Sequence, residues 1–175
     1  LLPGAIFFLI GYSFTKRFTW LSHFVLGFTD GLAAMGAWAA VRGSLFTAAD
    51  LPAWILLLVV TVWMAGFDII YACQDVEVDR RDGLRSIPAR FGIAAGLTAA
   101  RVCHALTVLA LIALGLELSL GLWYDLGVAV TAGLLIYEHS LVSPTDLSKI
   151  NLAFFNVNGY ISITLFAATL AALFL

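Results

Sequence analysis

The amino-acid sequence predicts an all-α polytopic membrane bundle. Three observations carry that prediction. The 175-residue chain is 62% hydrophobic with a mean hydropathy of +1.02, against about 45–50% apolar in soluble domains. Only 11% of its residues are charged, where soluble domains carry about 25%. Its apolar residues fall in runs approaching the ~20 residues that a spanning helix needs. The ~10-residue alternating segments of a membrane β-barrel are absent.

Six apolar segments occur in order: 1–14, 20–41, 52–74, 93–115, 120–138 and 154–175. The first is short and begins without Met, a charged start or a small-residue cleavage site, so it does not read as a signal peptide. The chain is expected to open inside a helix and to lack an N-terminal part. The connections are short apart from 75–92 and 139–151, and no repeat or linker is visible. A single domain over 1–175 is therefore expected. Cys73 and Cys103 lie thirty residues apart in apolar sequence and form no metal or redox spacing. They read as small buried hydrophobes.

Orientation follows from basic residues in short loops. Lys16 and Arg17 lie in the first loop, Arg80, Arg81, Arg85 and Arg90 in the third, and Lys149 in the fifth. These seven of nine basic residues place the odd-numbered loops in the cytoplasm. Arg101, two turns into its helix, either snorkels or faces the interior. The net charge of −2 argues against a nucleic-acid partner.

The polar residues concentrate in one place. The stretch 68–92 holds five of the eleven acidic residues and four arginines. Asp68, Tyr71, Asp75 and Asp79 are spaced by three, four and four, which is one stripe of a helix if the helix runs through 79. Carboxylates in line repel one another and resist desolvation. A hard cation relieves both, and Mg²⁺ typically takes one or two carboxylates together with phosphate oxygens. Arginine suits phosphate through its bidentate fork. A solvated basic loop would account for Arg80, Arg81 and Arg90, but not for Asp68 inside a span. His23 and Asp30, seven residues apart, share a helix face and are candidates for an acceptor pocket or for a structural pair. Asn151, Asn156 and Asn158 read as interhelical hydrogen-bond formers. His104 and His139 have no evident partner.

The run from Asp68 through Tyr71, Ala72 and Asp75 to Asp79, continued by Gly83, Arg85, Ser86 and Phe91-Gly92, resembles the second Asp-rich motif of the UbiA family of intramembrane prenyltransferases. Upstream, Tyr12, Lys16, Arg17 and Thr19 resemble that family's Tyr-x-x-x-Lys-Arg-x-Thr segment, and Leu26-Gly27 fits the family's pattern just downstream of it. The wording of 71–75 and 86–92, with Leu147 to Asn151, resembles a 4-hydroxybenzoate-type branch. Some members of that branch serve menaquinone synthesis by the futalosine route.

The resemblance implies nine spans, of which these six are the fourth to the ninth. It also implies a first Asp-rich motif, which this sequence lacks. It implies transfer of a polyprenyl chain from a prenyl diphosphate to an aromatic acceptor, of 4-hydroxybenzoate or dihydroxynaphthoate type, in ubiquinone or menaquinone synthesis. The setting would be the bacterial inner membrane. Asp75 and Asp79 would hold Mg²⁺. Asp68 would lie deeper as a cation stabiliser, outer ligand or proton acceptor, and Tyr71 would orient a carboxylate or the diphosphate. Lys16, Arg17 and Arg85 would meet the diphosphate. The chain departs from the pattern at Ser22-His23, Asp30, Asp82 and Arg85, and His23 and Asp30 leave the acceptor open.

Three other readings stand beside it. One is a UbiA-type enzyme with a non-quinone acceptor. A second is a transporter using Asp68 and Arg101 as coupling charges, although no paired broken helices in related halves are evident. The third is a CDP-alcohol phosphatidyltransferase. Its motif opens at Asp79, Asp82 and Gly83 but fails at Ser86-Ile87, and the next Asp after Asp82 is Asp125.

Overall fold

The computed structural model describes residues 2–175, so Leu1 of the first predicted segment lies outside the described residues. Helix α1 covers Leu2–Thr15, α2 Ser22–Arg42, α3 Leu51–Ala72, α4 Val76–Arg81, α5 Ile87–Phe91, α6 Ile93–Leu118, α7 Leu122–Ser140 and α8 Asn158–Phe174. Short 3-10 turns at Ala48–Asp50 and Cys73–Asp75 precede α3 and α4, and a π-turn at Leu152–Val157 leads into α8. Among the described residues the only β pairing is an isolated bridge between Ser143 and Asp146.

Each of the six predicted segments is a helix, with ends displaced by a few residues. Four are long and apolar enough to cross a membrane by length and composition: α2, α3, α6 and α8 with its π-turn. Helix α7 has the length, at nineteen residues, but carries Asp125, Glu138 and His139. Helix α1 has fourteen residues.

Local chemistry sets the ends. The amide and hydroxyl of Thr47 donate to Asp50 Oδ2 at 2.9 and 2.7 Å, a capping box before α3, and Pro52 stands in the first turn. Proline costs nothing there, because that amide has no intrahelical partner. Asp50 also accepts from Trp38 Nε1 and from Ser44, which ties the end of α2 to the start of α3. Gly83, at φ +69°, turns the chain after α4, so that the Leu84 amide donates back to the Asp79 carbonyl at 2.7 Å.

Helix α3 is the hub, with α2 on one side and α6 on the other. Helix α7 packs on α6 and α8, and α1 packs on α2. The main core joins Ile69 and Ile70 of α3, Leu97 and Ala100 of α6, Leu135 of α7, and Val157 and Ile161. Cys73 and Cys103 are free thiols within it, as their apolar neighbours predict. Outward faces expose Phe7, Leu109, Leu116, Ile136, Phe166 and Leu173. That arrangement suits hydrocarbon as the solvent, since a helix satisfies its own backbone groups. This is an integral membrane architecture.

The α2–α3 contact is close because Gly27 lacks a side chain. A Cβ there would stand 2.2 Å from the Thr61 carbonyl oxygen, which is backbone and cannot yield. Gly27→Ala in the full-length protein should therefore lower stability by about 1–3 kcal/mol, read as a lower Tm in detergent. Gly36→Ala, where a Cβ would meet nothing within 4 Å, should leave the Tm unchanged or raise it.

Candidate functional site

The acidic stripe does not continue as one regular helix. Helix α3 ends at Ala72 and the 3-10 turn Cys73–Asp75 intervenes before α4. A 3-10 turn winds at three residues per turn instead of 3.6, so three such residues rotate the downstream helix by roughly 60°. Asp68 consequently leaves the line of Asp75 and Asp79, which stay four residues apart across the start of α4.

Asp79 turns inward and is 3% exposed. Its Oδ2 accepts from the Ser86 hydroxyl at 2.7 Å and lies 3.6 Å from Lys16 Nζ. Ser86 is itself fully buried, and its oxygen accepts from the Ala89 amide at 3.2 Å as the N-cap of α5. The loops around this carboxylate are laced together. The Arg85 amide donates to the Lys16 carbonyl at 2.6 Å, and Arg85 Nη1 to the Phe18 carbonyl at 2.8 Å. Ser22 Oγ reaches the Arg85 carbonyl at 3.5 Å. A buried carboxylate is tolerated only with such partners. Here the partners come from the α1–α2 loop and from the segment between α4 and α5.

Asp68 faces α2. Its Oδ2 lies 2.6 Å from Nδ1 of His23, whose side chain is fully buried. The Ile87 amide donates to His23 Nε2 at 3.3 Å. That bond makes Nε2 the acceptor, so Nδ1 carries the hydrogen and donates to Asp68. Asp68 remains partly exposed and lines a cleft of about 220 Å³ with Tyr12, Ser13, Thr15, Lys16, Ser22 and Leu26. Lys16 thus meets the cleft and the Asp79 clasp together. Further along α1, α2 and α3, an apolar cavity of about 400 Å³ is lined by Phe8, Phe28, Leu32, Met35, Trp54 and Leu57 among others.

The remaining predicted residues do not line this cleft. Tyr71 is half-buried, with its ring centroid 4.3 Å from that of Phe154. Asp75 is half-buried on the 3-10 turn. Asp30 is half-buried two turns beyond His23, and it is not among the residues lining the cleft. Arg17 is exposed, 5.6 Å from the Phe14 ring centroid. Arg85 borders a second depression of about 370 Å³ with Arg80 and Arg90. Arg81 is exposed and pairs with Asp82 at 2.9 Å, and that bond holds the Asp82 carboxyl below its ordinary range. Among the described residues no three His, Cys, Asp or Glu side chains converge as a metal-ligand group.

Two features are not evident in the sequence. The first is the His23–Asp68 pair, where the seven-residue spacing suggests Asp30 as partner. The second is a buried polar cluster behind α3. His104 Nδ1 lies 3.0 Å from His139 Nε2 and 3.7 Å from Glu138 Oε2. Asn158 joins Glu138 to Trp63, which gives it the interhelical role expected of it. Both features pair residues on different helices, and spacing along one helix carries no signal of them. Arg101 is exposed at the α6–α7 groove, beside His104 and His139.

Comparison with known proteins agrees with this architecture. The chain matches the UbiA prenyltransferase family over residues 1–174. A 4-hydroxybenzoate octaprenyltransferase of Aliivibrio salmonicida is 34% identical over 169 residues, covering 92% of this chain and 56% of that protein. One of Nitrosospira multiformis is 30% identical over 163 residues, covering 93% and 54%. The apo structure of a UbiA homolog from Aeropyrum pernix K1 superposes with a TM-score of 0.83 at 30% identity, over 98% of this chain and 62% of that one. A structure of digeranylgeranylglyceryl phosphate synthase shares the fold, with a TM-score of 0.76 at 23% identity. The chain spans a little over half the length of the curated relatives it matches. It belongs to the UbiA prenyltransferase family.

Proposed function

We propose that the full-length protein transfers a polyprenyl chain from a prenyl diphosphate to the ring of an aromatic acceptor. The observation that carries this reading is the cleft in which Lys16 stands beside Asp68, with Lys16 also anchored to the buried Asp79. The names of the relatives favour a 4-hydroxybenzoate-type acceptor and ubiquinone synthesis. A dihydroxynaphthoate acceptor, and hence menaquinone, has the same electron-rich phenol chemistry. Seven of the nine basic residues lie in the loops on the side of this site, which makes it the cytoplasmic side.

The reaction breaks the allylic carbon–oxygen bond, and the electron pair leaves on the diphosphate oxygen. A ring carbon next to the phenol oxygen forms the new carbon–carbon bond, and that carbon then loses its proton to a base. Lys16 supplies a fixed positive charge for the leaving diphosphate, held in place by Asp79 and by its own carbonyl bond to Arg85. Arg17 and Arg85 add positive charge on the same side. Asp68 presents a carboxylate to the cleft, and the His23 bond to Oδ2 fixes its direction. That carboxylate is placed to stabilise the cation or to accept the ring proton. The apolar cavity along α1–α3 matches the chemistry of an isoprenoid tail.

A divalent cation fits the donor set. Asp75 and Asp79 stand one turn apart and offer oxygen donors only, and Mg²⁺ typically uses one or two carboxylates with phosphate oxygens. Asp75 and the Asp79 oxygen not taken by Ser86 and Lys16 would hold it. Bound Mg²⁺ would neutralise charge building on the diphosphate.

Radiolabelled prenyl diphosphate and 4-hydroxybenzoate should give labelled product with the full-length protein and Mg²⁺. Chelation should abolish the reaction and added Mg²⁺ restore it. Metal-independent transfer, or none to any aromatic acceptor, would reject the proposal. Asp75→Ala should lose at least about a hundredfold in kcat with an unchanged Tm. Asp79→Ala should lose activity and also lower the Tm by several degrees, since it leaves Ser86 and Lys16 without their acceptor. Equal Tm values for the two variants would contradict the structural role given to Asp79.

A further inference from the structure

Helix α3 carries Trp63, Phe67 and Tyr71 at four-residue intervals, one stripe beside Asp68. The π-turn lays two more aromatic rings against that stripe. Phe154 lies 5.2 Å from Phe67 and 4.3 Å from Tyr71, centroid to centroid, and Phe155 lies 6.3 Å from Tyr71. A π-turn adds one residue to a helix and is frequent at functional sites.

Asn158 holds the turn. Its Nδ2 donates to the carbonyls of Ala153 and Phe154 at 3.2 and 2.9 Å, which are backbone acceptors of the turn itself. The same amide reaches Glu138 Oε1 at 3.3 Å, and Asn158 Oδ1 accepts from Trp63 Nε1 at 2.9 Å. Glu138 is fully buried and Asn158 nearly so. Polar groups this deep are costly in an apolar interior, yet here they fix the backbone that carries Phe154. The wall they support has an open side, because Tyr71 is only half-buried and Phe155 is 62% exposed. Tyr71 lies three residues beyond Asp68 on α3 and four before Asp75 at the end of the 3-10 turn.

Ring faces attract cations, and the proposed reaction makes an allylic cation beside these carboxylates. We propose that Phe154, with Tyr71, faces the allylic carbon of the prenyl diphosphate and stabilises the positive charge developing there. Asn158 is the positioning residue that sets the Phe154 ring. The proposal rests on the prenyl-transfer reading.

The test uses the full-length protein with fluorinated phenylalanines incorporated at position 154. Each fluorine weakens the ring's attraction for a cation while keeping its shape. The kcat should fall stepwise with fluorine number, by roughly tenfold across the series, with the KM for prenyl diphosphate within about twofold. A flat series in an active protein would overturn the proposal. Asn158→Ala should also lower kcat, and its effect should largely vanish in a Phe154→Leu background, because both changes act through one ring. Additive losses would overturn the role of Asn158. Wild-type protein that transfers no prenyl group to any aromatic acceptor would overturn both this proposal and the reading beneath it.

Discussion

The buried carboxylate of Asp79 is the constraint on which the polar end of this molecule depends. Few groups are harder to place inside an apolar bundle. Asp79 is accommodated because Ser86 and Lys16 both come to it, and bringing them there fixes two loops. The Ser86 oxygen then starts α5, the Arg85 amide is held at the Lys16 carbonyl, and the Ile87 amide reaches His23. His23 in turn aims Asp68. A chain of polar contacts thus runs from the buried Asp79 to the partly exposed Asp68, through both loops.

The rest of the bundle obeys a different rule. Its outer faces are apolar and individually unspecific, as hydrocarbon surroundings allow. Its contacts are decided where backbones approach most closely, as at Gly27 against Thr61. Without water to drive helices together, close packing and shared hydrogen bonds must do so. The Trp38–Asp50 bond at one end of the α2–α3 pair and the His23–Asp68 bond at the other are of that kind.

Much of this is legible in the sequence, and the illegible remainder has a common cause. The six apolar runs are helices at nearly the expected bounds, because length and hydropathy are properties of a segment by itself. Asp68, Asp75 and Asp79 stand out in the sequence as costly charges, and Lys16 lies beside two of them in the structure. The 3-10 turn at Cys73–Asp75 is not visible in advance, since a change of winding over three residues leaves no mark on a spacing of four. A shared helix face points His23 toward Asp30, whereas its partner lies 45 residues away on another helix. The π-turn is hidden for the same reason. The Asn158 bonds to Glu138 and Trp63 are tertiary, and no local propensity encodes them.

The clasp between the first and third loops also bears on biogenesis. Arg85 and the Phe18 carbonyl are 67 residues apart in the chain, with the two long helices α2 and α3 and the short α4 between them. Until Arg85 has been synthesised, the polar groups of the α1–α2 loop have only water to serve them. Only when the segment after α3 has been synthesised can those groups exchange water for protein. The clasp is thus closed by a segment that is made after every residue lining the cleft.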